Sequence, residues 1–295
     1  MRNLAIKRIL IPTDFSETAN LALEHAVKMA RLLDSEITLL HVVSSFAFRV
    51  NLPEMEFDET QEAKLAGVIE SKLNKIADEI SQKEGVKVST LITSGRVREE
   101  VVRVAEEIYA DIIILGTHGV SGLREFFMGS NAFRIVSDAA CPVLCIQESG
   151  HPVGFKNIVV PIDNSFYSRE KLGLSIKLAR LYNATIHICG LRSHDHNDEE
   201  INAKFRMKMK QVDDFLHEQD VEFTLTTLYC ENIANATMEY AAEMKADLII
   251  IMNEQEVNST GFFMGPYAQQ VVNHSKIPVI SIRPSSSNVE FVNPF

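Results

Sequence analysis

ADIIILGTHGVSGLREFFMGSNAFRIVSDAACPVLCI, residues 110–146, aligns without a gap on ADLIIIMNEQEVNSTGFFMGPYAQQVVNHSKIPVISI, residues 246–282. A self-match of that length marks a duplicated structural unit. Upstream, RILIPTDFSETANLALEHAVKMARLL at 8–33 returns at 157–182 as NIVVPIDNSFYSREKLGLSIKLARLY, with Pro12, Asp14 and Ser16 answered by Pro161, Asp163 and Ser165. The chain is therefore read as two homologous domains, 1–148 and 155–285, with a C-terminal tail at 286–295. Gly150, Pro152 and Gly154 punctuate the join as linker residues do.

Within each half, short apolar runs alternate with longer stretches whose apolar residues recur at helical spacing. In the first half strands are expected near 8–12, 36–43, 86–92, 111–115 and 142–147, and helices near 17–33, 59–84, 97–108 and 130–139. Ile112-Ile113-Ile114-Leu115 has no polar alternation, so both faces of that strand are covered, as in a parallel sheet between helices. Five β-α repeats predict an α/β fold, two tandem doubly wound parallel five-stranded sheets flanked by helices.

Composition narrows the function classes. With 295 residues, a net charge of −11 and 46% hydrophobic residues, the chain carries a large core and a mean field that repels nucleic acid and anionic membranes. Its longest apolar runs fall far short of the roughly 18 residues a bilayer span needs, and the N-terminus lacks a signal-peptide core. A cytoplasmic protein with no membrane and no nucleic-acid partner is expected. Its four cysteines form no Cys-x-x-Cys pair, and Cys141 and Cys145 sit on one extended run too far apart for a disulfide; all four read as small buried hydrophobes.

In a doubly wound sheet, ligands sit beyond the carboxyl ends of the strands where the winding reverses. Two loops are placed there: Pro12-Thr13-Asp14-Phe15-Ser16 after the first strand, and Gly116-Thr117-His118-Gly119 running on to Gly129-Ser130-Asn131 after the fourth. The latter ends at a helix start, whose free N–H groups, positive dipole end and Ser130 hydroxyl suit an anion. The bland alternative is that the glycines only shape a long loop and Ser130 only caps the helix.

The spacing Gly-x2-Gly-x9-Gly-Ser, from Gly116 and Gly119 to Gly129 and Ser130, resembles the ATP-binding signature of the universal stress protein family. The resemblance covers essentially the whole chain, since ILIPTDFS, ITLLHVV, ADIIILGTHG and the Gly-Ser helix start fall in the family's order. It implies a tandem member with an adenine nucleotide alpha hydrolase-like fold and ATP, with or without Mg2+, as ligand. On that resemblance Asp14 faces the adenosine end, with Pro12 and Thr13 lining the same turn and Val42 meeting adenine through its backbone. The phosphates would rest on Gly116, His118, Gly119, Gly129, Ser130 and Asn131, with Thr117 also counted among the nucleotide-binding residues. Resemblance further implies that the two domains pair within the chain and that homodimerisation is open.

The second half serves as an internal control. Met252 stands at the position of Gly116, Glu254 at His118, Gln255 at Gly119 and Pro266 at Ser130, while Gly265 and Asp163 survive. Side chains, an added negative charge and a residue with neither N–H nor hydroxyl all disfavour phosphate, so this copy reads as one that keeps the fold and has lost triphosphate binding. On this reading Gly116→Met should weaken ATP binding with the fold intact.

His194 to Glu200 reads as a solvated loop with an acidic helix start, a Zn2+ site being the alternative. His25 and His41 are read as packing, and Phe126-Phe127-Met128 with its counterpart Phe262-Phe263-Met264 as packing within a domain or at an interface. No Gly-x4-Gly-Lys-Ser/Thr loop is present, which favours binding over turnover, and no catalytic or metal-ligating residue is assigned. The first expectation is a nucleotide-binding stress-response protein acting through partners; slow ATP hydrolysis or adenylate transfer, and a ligand-free scaffold, are the alternatives.

Overall fold

The computed structural model describes residues 6–43, 59–117, 129–147, 152–193, 199–253, 255–258 and 261–284. These divide into two compact units, one running to Gln147 and the other starting at Pro152.

The first unit alternates strands and helices: β1 (Arg8–Pro12), α1 (Glu17–Leu33), β2 (Glu36–Val43), α2 (Glu59–Glu84), β3 (Val88–Ser94), α3 (Val97–Glu107), β4 (Ile112–Gly116), α4 (Ser130–Asp138) and β5 (Val143–Ile146). The strands are parallel and ordered β3-β2-β1-β4-β5, so the winding reverses between β1 and β4. Ile112 to Ile114 and Ile9 to Ile11 are fully buried, as expected of strands covered on both faces.

The second unit repeats the pattern with β6 (Asn157–Ile162), α5 (Leu172–Tyr182), β7 (Thr185–Ser193), α6 (Glu199–His217), β8 (Phe223–Cys230), α7 (Ile233–Glu243), β9 (Leu248–Met252), α8 (Pro266–His274) and β12 (Val279–Ile282), its strands ordered β12-β9-β6-β7-β8. Two further features complete it. An antiparallel hairpin, β10 (Gln255–Asn258) with β11 (Gly261–Met264), stands between β9 and α8. The helix that follows β6 starts late, after a 3-10 turn at Phe166–Arg169.

Duplication extends to single backbone groups. Asp111 accepts the Lys7 and Arg8 N–H groups at 2.7 and 2.9 Å, and Asp247 accepts those of Lys156 and Asn157. Asp34 and Asn183 end α1 and α5 in the left-handed conformation, which short polar side chains tolerate.

All four thiols are free; Cys145 and Cys189 are fully buried, as sequence reasoning expects of small hydrophobes, whereas Cys141 and Cys230 are only half-buried. Burial pushes the Cys141 and Cys189 thiols up to about 12. Among the described residues no helix is long and apolar enough to cross a membrane.

Candidate functional site

The reversal point between β1 and β4 opens into a cavity of about 300 Å3 in the first unit. That volume lies at the small end of the range typical of small-molecule sites, roughly 300–1,000 Å3. Pro12, Thr13 and Asp14 reach it from the end of β1, Val42 from β2, Gly116 and Thr117 from β4, and Gly129, Ser130 and Asn131 from the start of α4. Nine residues read from sequence therefore meet around one cavity. His118 and Gly119 lie outside the described residues.

Local chemistry shapes the β1 turn. The Phe15 N–H donates to Thr13 Oγ1 at 3.0 Å and the Ser16 N–H to Asp14 Oδ1 at 2.9 Å, two side-chain turns in succession. Ser16 then caps α1, its Oγ accepting the Ala19 N–H. Asp14 itself is exposed at the mouth.

Ser130 is not a helix cap. Gly129 occupies the N-cap of α4 and no side chain caps the helix, so Ser130 and Asn131 carry first-turn N–H groups on the cavity wall. The positive end of the α4 dipole faces the same space. The Gly129 N–H donates to the Thr117 carbonyl at 2.9 Å, which brings the end of β4 beside the start of α4. Thr117 is buried and its hydroxyl turns to the Ile146 carbonyl, so its part in the cavity is mainly as backbone.

Gly116 has a role that spacing alone did not disclose. A Cβ there would lie 2.7 Å from the Thr18 carbonyl carbon and 2.9 Å from the Ala19 nitrogen, inside the first turn of α1. The glycine lets α1 pack on β4, so Gly116→Met would disturb the fold and is unsuited to test binding. In the second unit Met252 is present and buried at 2% exposure, and the matching first helical turn is the 3-10 segment. The unit with Met at this position is thus also the unit whose first helix starts late.

The second unit's turn is also closed differently. The Asp163 carboxylate accepts the Ser165 N–H at 2.9 Å and the Ser165 hydroxyl at 2.6 Å, and the Lys208 ammonium donates to the Asp163 and Ser165 carbonyls at 2.9 and 2.8 Å. Burial pushes the Asp163 carboxyl up, but the Lys171 charge and hydrogen bonds from Ser165 and Ser168 outweigh it and hold the group below its ordinary value. At α8 the first helical residue is Pro266, which offers no N–H.

Sequence reading did not place Val97 or His41 at the cavity, although both line it; Ser16, the last residue of the loop it did place there, lines it too. His41 was assigned to packing, and it does pack: its Nδ1 donates to the Thr13 carbonyl at 2.8 Å and its ring stacks on Phe15 at 4.9 Å. Position at the end of β2, beside Val42, was the available signal. His25 is buried in α1, in keeping with a packing role. In the His194 to Glu200 stretch the described part, Glu199 and Glu200, opens α6 and pairs with Arg206 and Lys204; the remainder lies outside the described residues, as does Phe126-Phe127-Met128. Among the described residues no cluster of three or more His, Cys, Asp or Glu is set to hold a metal ion.

Two parallel, doubly wound α/β units with a ligand-sized cavity at the first unit's reversal point define the class, the adenine nucleotide alpha hydrolase-like fold. Residues 5–147 and 154–283 each match the model of the universal stress protein family. The chain belongs to that family as a tandem, two-domain member. A universal stress protein of Methanocaldococcus jannaschii is 34% identical over 154 residues, which is 48% of this chain and 94% of that protein. One from Bacillus subtilis is 30% identical over 148 residues, 48% of this chain and 98% of that protein. The fold of the full length is matched by the crystal structure of a universal stress protein from Archaeoglobus fulgidus, with a TM-score of 0.75, 18% identity, and coverage of 97% of this chain and 100% of that one.

Proposed function

We propose that the first unit binds ATP and that the chain is a nucleotide-dependent regulatory or interaction protein of the cytoplasmic stress response. The observation that carries this reading is the cavity whose walls join the Asp14 turn to the uncapped start of α4. Adenosine would lie between Asp14 and the Val42 backbone, and the phosphates would take the N–H groups of Ser130 and Asn131, where the helix dipole favours negative charge. The second unit has Pro266 in place of Ser130 and a turn already satisfied by its own side chains, which supports a single nucleotide per chain.

Freshly purified full-length protein should release about one ATP per chain on denaturation, measured by chromatography and mass spectrometry, and the stripped protein should rebind ATP with the same stoichiometry by titration calorimetry. Two ATP per chain would overturn the single-site reading. ADP or AMP in place of ATP would point to turnover, and no nucleotide together with no thermal shift on adding ATP would favour a ligand-free scaffold.

A further inference from the structure

The turn after β1 holds a conformation that its sequence does not favour. Phe15 sits at φ 64, in the left-handed region where a bulky side chain is an outlier, whereas its counterpart Asn164, better suited to that region, is not among the positive-φ residues. A strained residue persists only where its surroundings fix it. Three contacts do so: the Phe15 ring stacks on His41 at 4.9 Å and 25°, His41 Nδ1 donates to the Thr13 carbonyl at 2.8 Å, and Lys72 Nζ from α2 rests 4.0 Å over the Phe15 ring.

The second unit repeats the lysine without the aromatic pair. Lys72 precedes buried Leu73 as Lys208 precedes buried Met209, and the β1–β2 and β6–β7 registers put Gly190 where His41 stands. With Asn164 and Gly190 in those places, the Lys208 ammonium reaches the turn and donates to the carbonyls of Asp163 and Ser165. Phe205 and Met209 close over Gly190, with atoms 2.9 to 3.0 Å from the place of a Cβ. One lysine position thus has two arrangements, on an aromatic ring in the unit with the cavity and inside the turn in the unit with the altered signature.

We propose that Phe15 and His41 are positioning residues that hold Lys72 off the Asp14 turn and so keep that turn open to the nucleotide. The inference rests on the ATP reading above for its ligand and on the paired lysines for its geometry. It separates residues that position the turn from those that would touch nucleotide: Phe15 and Lys72 do not line the cavity, and His41 borders it while bracing the Thr13 carbonyl.

Calorimetric titration of ATP into the full-length chain tests it. Copying the second unit with Phe15→Asn and His41→Gly together should weaken ATP binding by about tenfold or more, and adding Lys72→Met should restore most of the loss, because no ammonium remains to enter the turn. Lys208→Met should leave ATP affinity unchanged. A double variant that binds as tightly as the parent overturns the proposal, and so does a triple variant no tighter than the double. Folding of each variant is followed by its thermal midpoint, and a second readout needs neither ligand nor the double variant. In reductively methylated protein labelled with carbon-13, the Lys72 methyl signal, identified by its loss in Lys72→Met, should lie upfield from ring current and return to the ordinary position in Phe15→Leu. An unshifted Lys72 signal overturns the prop whether or not ATP binds. A shifted signal in a chain that binds no ATP supports the prop and overturns the ATP reading instead.

Discussion

Ser130 occupies the first helical position of α4 on the cavity wall, and no side chain caps that helix start. Ser130→Pro should therefore keep the helix, since proline suits that position and the second unit uses it there in Pro266. The expected result is ATP binding weakened by about 1.5–3 kcal/mol, the usual worth of a hydrogen bond to a charged group, with an unchanged thermal midpoint of the ligand-free protein. Unchanged affinity by calorimetry would remove α4 from the site. Asp163 supports a pH prediction of the opposite kind, about stability. Its folded carboxyl titrates below the ordinary 3.8, so the unfolded chain binds its proton first as pH falls. The stabilisation is present above about pH 3.8 and is lost as pH drops through the lower folded value. Asp163→Asn should lower the urea midpoint at pH 7, and the gap from the parent should narrow below pH 4; a constant gap would show that the carboxylate charge plays no part. His187 acts in the same direction at higher pH. Burial lowers it from 6.5 despite the Asp247 charge, so its contribution is lost as pH falls below about 6.5. Of these residues, Asp14, Ser130 and Asn131 were legible from their loops, because strand ends and helix starts are local features. The bond from Lys208 to the Asp163 carbonyl was not, since it comes from a residue 45 positions away.

At the scale of elements, the start of α1 rests against a residue at the end of a distant strand. Gly116 admits the α1 turn at Thr18 and Ala19 to within 2.7 to 2.9 Å of where a Cβ would be. Gly116→Ala should cost about 1–3 kcal/mol, the usual price of overpacking, as a lower midpoint in thermal or urea unfolding. No loss would mean that α1 shifts freely. In the second unit Met252 is buried and the corresponding helix begins at Leu172 after a 3-10 turn. Met252→Ala should destabilise by about 2–5 kcal/mol as a cavity-forming change and should not by itself extend α5, whose missing turn also carries Phe166 and Tyr167. The helices of the first unit were readable from spacing. The late start of α5 was not, because NSFYSREKLGLSIKLARLY has helical character throughout and nothing in its own spacing marks the 3-10 turn at Phe166–Arg169.

For the molecule as a whole, duplication supplies two copies of one scaffold with separate fates. The two units share strand order, left-handed helix ends at Asp34 and Asn183, and the paired aspartates Asp111 and Asp247, so the features that maintain the fold have been kept in both. The described cavity lies in the first unit, and the helix on its wall starts at Ser130 where α8 starts at Pro266, which has no N–H. Hydrogen exchange should therefore show ATP-dependent protection of backbone amides at 12–16 and 129–132 and none at the matching 161–165 and 265–268. At ATP a hundred times above Kd the first unit should gain about 2.7 kcal/mol, which appears as a shift of its own unfolding transition. Equal protection in both units would refute the division of labour.

What the sequence alone determined is what linear spacing encodes: the duplication, the parallel α/β class, most element boundaries of the first unit, and the two loops that meet at the reversal point. Apolar period and turn residues act over a few positions, and a gap-free self-match carries them from one half to the other. Tertiary structure alone decided why Gly116 must be glycine, that Ser130 follows the N-cap rather than forming it, that His41 both packs and borders the cavity, and that Lys72 and Lys208 take different partners. Each of those depends on close approach between segments far apart in the chain, and such distances are fixed by packing in three dimensions.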